Sequence, residues 1–133
     1  MKLLLDTHIL LWAAADIAPP SLRVYLEDES DTLLFSAASI WEIVIKRQLG
    51  RPDFLVDPNL LYRGLIDNGY EPLSISAEHA LLTATLPAIH KDPFDRILLA
   101  QSIAENAQLI TADGILTAYP APVLLIKDKP GNQ

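Results

Sequence analysis

The sequence has 133 residues, of which 50% are hydrophobic and 20% are charged, and this composition predicts one globular domain. It contains no cysteine, which excludes a disulfide framework and a metal site built on thiolates. The net charge of −7 argues against broad electrostatic adhesion to nucleic acid, because such binding normally needs a basic face.

The chain begins with an apolar run that superficially resembles a signal peptide, Met1-Lys2-Leu3-Leu4-Leu5. Asp6 and His8 interrupt this run too early for that role. No later run approaches the roughly 20 apolar residues that a membrane-spanning helix needs. We therefore expect a cytoplasmic protein that does not enter a membrane.

Short apolar runs alternate along the chain with segments of helical periodicity. The apolar runs predict five strands, at residues 2–5, 32–35, 70–75, 108–111 and 123–126. The other segments predict helices at residues 7–15, from Pro19-Pro20-Ser21 to about 28, and at 37–49, 59–67, 77–86 and about 93–106. Residues 51–58 are predicted as a loop, and a short helix is expected after Asp113-Gly114.

This alternation predicts an α/β fold, a parallel sheet with helices on both faces in three α/β/α layers. One domain would span residues 1–126, followed by a frayed tail at 127–133. In such sheets ligands bind beyond the carboxyl ends of the strands, near the point where the strand order reverses. Asp6 closes the first predicted strand and Asp113 follows the fourth. If these strands are neighbours, both carboxylates reach that crevice.

The sequence Asp92-Pro93-Phe94-Asp95-Arg96 predicts the start of a helix. An aspartate before a proline is typical of an N-cap, with the proline at the first helical position. Asp95 then falls in the first turn. There it either complements the helix dipole or points off the helix end into the crevice as a metal ligand.

Each of the other acids also has a local interpretation. Asp6 would cap the helix that follows it, and Asp113 in an Asp-Gly pair would mark a turn. Glu42 lies in an apolar helix, where it would form a capping box with Ser39 or an i,i+4 pair with Lys46. These interpretations stay open beside a functional one.

Together, Asp6, Glu42, Asp95 and Asp113 predict a site for a divalent cation. Two unit charges roughly 4 Å apart repel by about 4 kcal/mol at an effective dielectric constant near 20, so converging carboxylates need a counter-cation or raised pKa values. Oxygen ligands without cysteine favour Mg²⁺ or Mn²⁺. Such ions activate water and stabilise the attacking and leaving oxygens of a phosphodiester.

The histidines and the basic residues contribute less to this hypothesis. His8, His79 and His90 have no metal-ligand spacing, and a surface or capping role is expected for each. Five basic residues either form a rim that binds phosphates or are solvated surface charges: Lys46, Arg47, Arg51, Lys91 and Arg96.

An ordered set of motifs runs along nearly the whole chain. It consists of Leu3-Leu4-Leu5-Asp6-Thr7-His8, Ser36, Trp41-Glu42-Ile43, Lys46, Leu86-Pro87, His90, Asp92-Pro93-Phe94-Asp95-Arg96, Ala100-Gln101 and Thr111-Ala112-Asp113. In this order the motifs resemble those of the PIN-domain ribonucleases, specifically the VapC-like toxins of bacterial type II toxin–antitoxin systems. The Asp-Pro-Phe-Asp-Arg block is the most distinctive part of the resemblance.

The resemblance implies a PIN fold and a metal-dependent endoribonuclease that hydrolyses RNA phosphodiester bonds with Mg²⁺ or Mn²⁺. By position, Asp6, Glu42, Asp95 and Asp113 match the acidic quartet of the family. Asp6 and Asp95 would be the most secure metal ligands. Glu42 and Asp113 would complete the site directly or through waters, and Thr111 would support it.

The resemblance also implies partners, namely a VapB-like antitoxin that silences the site by covering it and a second copy of the toxin in a homodimer. The apolar helical segments 9–15 and 22–26 would form the antitoxin or dimer surface, or would pack in the core.

Two rival functions remain at this point. The first is a non-catalytic PIN-like binding module whose acids only cap helices. The second is a phosphatase of the haloacid-dehalogenase type, which needs an Asp-x-Asp after the first strand, where this chain has His8 at the third position.

Overall fold

The computed structural model describes residues 1–131 and contains one parallel sheet. Its strands are β1 (Lys2–Leu5), β2 (Thr32–Ser36), β3 (Glu71–Leu73), β4 (Gln108–Thr111) and β5 (Val123–Leu125). Their order in the sheet is β3-β2-β1-β4-β5, and every neighbouring pair is parallel. The strand order therefore reverses between β1 and β4, which places a crevice beyond the carboxyl ends of these two strands.

Six α-helices connect the strands within the described residues. They are α1 (Thr7–Ala14), α2 (Pro20–Leu26), α3 (Ala37–Gln48), α4 (Pro58–Asp67), α5 (Ala77–Leu82) and α6 (Pro93–Glu105). Three 3-10 helices accompany them, at Pro52–Phe54, Thr83–Thr85 and Gly114–Ala118. In this part of the chain, no helix has the length and apolar character to cross a bilayer.

Successive side chains of β1 point into two different cores, because side chains alternate across a strand. Leu3 and Leu5 pack with Ile9 of α1 on one face of the sheet. Leu4 packs with Leu98 of α6 on the other face. All five side chains are fully buried. This arrangement confirms the predicted α/β fold with helices on both faces.

Several predicted elements differ from the structure by a few residues at their ends; β3, for example, is shorter than the predicted strand 70–75. Two segments also differ in their type of structure. The predicted helix 77–86 ends as an α-helix at Leu82 and continues as the 3-10 helix Thr83–Thr85. The predicted loop 51–58 contains the 3-10 helix Pro52–Phe54, whose Phe54 is fully buried. Both differences concern single turns of 3-10 helix, which apolar periodicity does not distinguish from an α-helix or a loop.

The segment after β5 is attached to α2. The Asp128 carboxylate accepts hydrogen bonds from the amide and the hydroxyl of Ser21. Residues 127–131 form neither helix nor strand. The other two residues of the predicted tail, 132 and 133, lie outside the described residues.

Replacing Leu4 by alanine tests the two-sided core. Leu4 is fully buried beneath α6, so we expect Leu4→Ala to lower the free energy of unfolding by about 2–5 kcal/mol, as large-to-small core substitutions do. Leu81→Ala is the matched control, because Leu81 is 73% exposed, and it should change stability by about 0.5 kcal/mol or less. Urea denaturation followed by circular dichroism measures both, and equal losses would contradict the described packing.

Candidate metal centre

The carboxyl ends of β1 and β4 are joined by side-chain hydrogen bonds. Asp6 follows β1 directly and caps α1, because its Oδ1 accepts a hydrogen bond from the Ile9 amide at 3.0 Å. Its Oδ2 accepts a hydrogen bond from the hydroxyl of Thr111, the last residue of β4. The Thr111 hydroxyl oxygen in turn accepts from the Asp113 amide at 3.0 Å. Thr111 therefore ties the carboxylate at one strand end to the backbone at the other.

Asp6 occupies an environment that disfavours its charge. It is only 7% exposed, and burial raises its pKa from 3.8 to about 6. The hydrogen bonds from Thr111 and Ile9 oppose this rise in pKa, because they stabilise the ionised carboxylate. The negative charge of Glu42 raises the pKa further, which indicates that these two acids are close enough to repel each other.

Glu42 is held from both sides inside the domain. It lies on α3, is 4% exposed, and accepts a hydrogen bond from the Thr7 hydroxyl at 2.5 Å through Oε1. Its Oε2 pairs with Lys46 Nζ at 2.5 Å, so the i,i+4 interpretation of the sequence is present in the structure. The capping-box interpretation is wrong, because the N-cap of α3 is Ser36 and the Ser39 hydroxyl lies 3.1 Å from Thr7 Oγ1 instead.

The start of α6 places Asp95 at the same crevice. Asp92 is the N-cap, as predicted, and its Oδ1 accepts from the Phe94 amide at 2.8 Å, with Pro93 at the first helical position. Asp95 follows in the first turn, where its Oδ2 lies 3.0 Å from Nε2 of His90. Asp92 thus acts as the cap, which leaves the Asp95 side chain to face His90.

Burial and neighbouring negative charges raise the pKa of Asp95 from 3.8 to about 6. Burial is the largest cause, followed by the charges of Asp92, Asp6 and Glu42, whereas the hydrogen bond with His90 opposes the rise. Charges at the end of β1, on α3 and at the start of α6 therefore act on one carboxylate.

His90, Asp95 and Asp113 each offer one atom that could bind a metal ion, and these three atoms all lie within 4.8 Å of one another. One imidazole nitrogen and two carboxylate oxygens at this spacing fit a divalent cation such as Mn²⁺ or Mg²⁺. Within residues 1–131, Asp6 and Glu42 lie outside this close group, and hydrogen-bond donors already occupy their oxygens. The sequence prediction that Asp6 and Glu42 are also metal ligands stays a prediction.

His90 belongs to this candidate group, although its sequence context predicted only a surface or capping role, because its position depends on contacts with distant residues. The His90 amide donates to the Tyr119 hydroxyl at 2.7 Å. The Arg96 guanidinium donates to the carbonyls of Thr83 and Pro87, each at 2.9 Å, and so fixes the segment that leads to His90. The position of His90 in the Pro-x-x-His-x-Asp-Pro sequence was the available signal.

Three of the five residues of the predicted basic rim have protein partners: Lys46, Arg96 and Arg51, whose Nε lies 4.0 Å from the Asp53 carboxylate. Arg96 is bound to backbone carbonyls, and Lys46 pairs with Glu42 while its Nζ lies 5.0 Å from the centroid of the Phe54 ring. Both are therefore internal to the domain rather than members of an open rim. Arg47 and Lys91 are exposed.

The other two histidines have the roles expected for them. His79 forms a capping box with Ser76, whose amide donates to His79 Nδ1 at 3.0 Å. His8 is exposed and lies 3.3 Å from the carboxylate of Asp53. Neither histidine belongs to the group around Asp95 within the described part of the chain.

Comparison with protein families gives a match to the PIN domain, which covers residues 3–121 of this chain. No curated protein matches the sequence.

Solved structures with similar folds include toxin–antitoxin complexes. A chain of VapBC2 from Rickettsia felis, bound to a DNA fragment from its promoter, superposes with a TM-score of 0.73 at 19% identity, covering 96% of this chain and 100% of that one. A chain of VapBC-1 from Haemophilus influenzae gives a TM-score of 0.62 at 19% identity, covering 94% and 98%. A domain of a functionally unknown protein from Methanocaldococcus jannaschii superposes with a TM-score of 0.61 at 13% identity, covering 96% of this chain and 92% of that one.

Substituting Asp6 by asparagine tests the charge at the strand end. The folded-state pKa of about 6 lies above the ordinary 3.8, so the unfolded chain releases this proton first. The contribution of Asp6 to the stability of the metal-free protein is therefore lost as pH rises from about 4 to about 6. Asparagine retains the cap without the charge, so Asp6→Asn should stabilise the metal-free protein at pH 7.5, by on the order of 3 kcal/mol.

The stabilisation by Asp6→Asn should become smaller as pH falls from about 6 towards 4. Urea denaturation in the presence of EDTA measures the free energy of unfolding of wild type and variant at each pH. The exposed Asp67→Asn on α4 is the control and should have little effect at either pH. A stabilisation by Asp6→Asn that does not depend on pH would contradict a charge-based explanation.

A titration with Mn²⁺ distinguishes the cap of α6 from the ligand beside it. At pH 7.5 and 100-fold above Kd, the ion should stabilise the protein by about 2.7 kcal/mol, seen as a rise in Tm. The rise should disappear in Asp95→Asn and persist in Asp92→Asn, which retains the cap. It should also weaken below about pH 6, where Asp95 is protonated. Equal responses of the two variants would count against the site.

Proposed function

Since this chain belongs to the PIN domain family, we propose that it is a divalent-metal-dependent endoribonuclease and the toxin of a type II toxin–antitoxin system. The likeness of its fold to chains of VapBC complexes supports the toxin assignment. The observation that carries the nuclease proposal is the grouping of His90, Asp95 and Asp113 beside Asp6 and Glu42 at the strand-order reversal.

We assign His90, Asp95 and Asp113 to holding Mg²⁺ or Mn²⁺, with Asp6 and Glu42 completing the catalytic site directly or through waters. When bound, the cation would polarise the RNA phosphodiester and lower the pKa of the attacking water. The reaction is in-line hydrolysis, and by family resemblance the products carry a 5′-phosphate and a 3′-hydroxyl.

The residues around the acids orient them for this reaction. The Thr111 hydroxyl fixes Oδ2 of Asp6, and the Thr7 hydroxyl fixes Oε1 of Glu42. Lys46 balances the charge of Glu42 within the domain. Oriented carboxylates need little rearrangement when charge develops on the phosphate, which is the usual source of electrostatic catalysis.

The proposed VapB-like antitoxin has an apolar cleft available to it. Ile9 and Leu22, from the two segments predicted as a partner surface, are fully buried, so these positions belong to the core. Leu11 and Trp12 of α1 instead line a cleft of about 900 Å³ that Leu60 of α4 also lines. We propose that the antitoxin covers this cleft, which His8 also lines, two residues along the chain from Asp6. A homodimer remains part of the proposal.

The test is to sequence RNA ends after brief induction in cells, with wild type beside Asp6→Asn and Asp95→Asn. Wild type should produce new 5′-phosphate ends and arrest growth, and both variants should lose at least about 100-fold of the cleavage, because each removes a charge from the site. Purified protein with Mn²⁺ should reproduce the cut sites. Asp67→Asn is the control that should cleave normally. A wild-type protein that leaves RNA intact and behaves like the variants would favour a non-catalytic binding module.

A further inference from the structure

An aromatic residue stands directly before an acid of the site in each of two helices. Trp41 precedes Glu42 on α3, and Phe94 precedes Asp95 on α6. The two aromatic rings meet edge to face, with their centroids 5.5 Å apart and their planes at 76°. Since consecutive helical residues point about 100° apart, the aromatic pair lies beside the acids rather than behind them.

Trp41 exposes a large aromatic ring at the surface. It is 61% exposed, whereas Glu42 next to it is 4% exposed. The edge-to-face contact with Phe94 restricts the orientation of the indole, because such pairs have a defined geometry. A large aromatic surface is thus held open to solvent at the border of the acidic site.

We propose that Trp41, held by Phe94, is a stacking platform for an unpaired base of the RNA strand that is cleaved. This inference rests on the proposed ribonuclease function and adds a substrate-binding residue to it. A base next to the scissile phosphate stacks on the indole while the phosphate lies at the carboxylates. The substrate class is therefore single-stranded RNA, since a paired base has no free face to offer.

The charge of the protein favours this role. With a net charge of −7, the chain gains little affinity for RNA from general electrostatic attraction. Lys46 and Arg96, two of the cations near the site, are engaged inside the domain. Base stacking on an aromatic ring contributes affinity that does not depend on counterion release, so it suits an acidic nuclease.

Tryptophan fluorescence reports directly on this contact. The chain has two tryptophans, so Trp12→Phe leaves Trp41 as the sole tryptophan, which is excited selectively over the four tyrosines. The probe is a fluorescein-labelled oligoadenylate RNA of 12 nucleotides, in Ca²⁺ in place of Mn²⁺ to slow turnover. An unlabelled copy should quench Trp41 emission and saturate at the Kd that fluorescence anisotropy gives for the labelled copy. If Trp12→Phe folds poorly, the loss of quenching in Trp41→Phe against wild type gives the same information.

Substitutions measure the contribution of the ring. Trp41→Ala should weaken binding of the probe by about 5- to 100-fold, and Trp41→Phe should retain most of the affinity. The ratio of Kd values should stay constant between about 50 and 200 mM salt, because stacking releases no counterions. Leu49→Ala is the control, an apolar side chain 72% exposed at the other end of the same helix.

The outcomes separate this inference from the proposed function. If wild type cleaves RNA but Trp41 emission does not change when the RNA binds, the stacking role of Trp41 is wrong and the ribonuclease function is retained. If Trp41→Ala keeps its RNA affinity and turns a dimer into a monomer in sedimentation, the aromatic surface is an interface between two copies, and the inference is overturned. If wild type neither binds nor cleaves RNA, both fail together.

Discussion

The hydrogen bond from the Thr111 hydroxyl to the Asp6 carboxylate joins the two strands between which the sheet order reverses, and the acidic site depends on it. The same hydroxyl oxygen accepts a hydrogen bond from the Asp113 amide, so one side chain positions two acids. A threonine at the end of a buried strand suits this task, because its hydroxyl both donates and accepts while its methyl group remains compatible with the core.

A local cap and a position in the candidate metal centre are compatible in these acids, although the sequence presents them as alternatives. A carboxylate has two oxygens and can serve both purposes. Asp6 caps α1 through Oδ1 and accepts a hydrogen bond from the Thr111 hydroxyl through Oδ2. Asp113 caps the 3-10 helix after it through Oδ1, and its carboxylate also offers an oxygen to the group formed with His90 and Asp95. Local caps thus fix the direction of side chains whose charges must converge.

The sequence predicts the sheet and the acids because both depend on local patterns. Short apolar runs mark the two strands, Leu3-Leu4-Leu5 in β1 and Leu109-Ile110 in β4, and an acid after each strand marks the crevice. His90 could not be identified in this way, because its partners Tyr119 and Asp95 reach it only through the folded chain. The same limit applies to the N-cap of α3. The sequence offered Ser39 for this role, but the Ser39 hydroxyl forms a hydrogen bond with the hydroxyl of Thr7 of α1, a contact that forms only in the folded chain.

The Asp-Pro-Phe-Asp-Arg block shows why a short sequence can be so distinctive. Asp92 ends the preceding segment as a cap, and Pro93 has the φ that the first helical turn needs. Phe94 contacts Trp41, Asp95 faces His90, and Arg96 holds the carbonyls of the loop that carries that histidine. Each position has a separate physical task, and a lysine in place of Arg96 could not reach two carbonyls with one planar group. Five adjacent positions, each under its own constraint, leave few substitutions that preserve the whole arrangement.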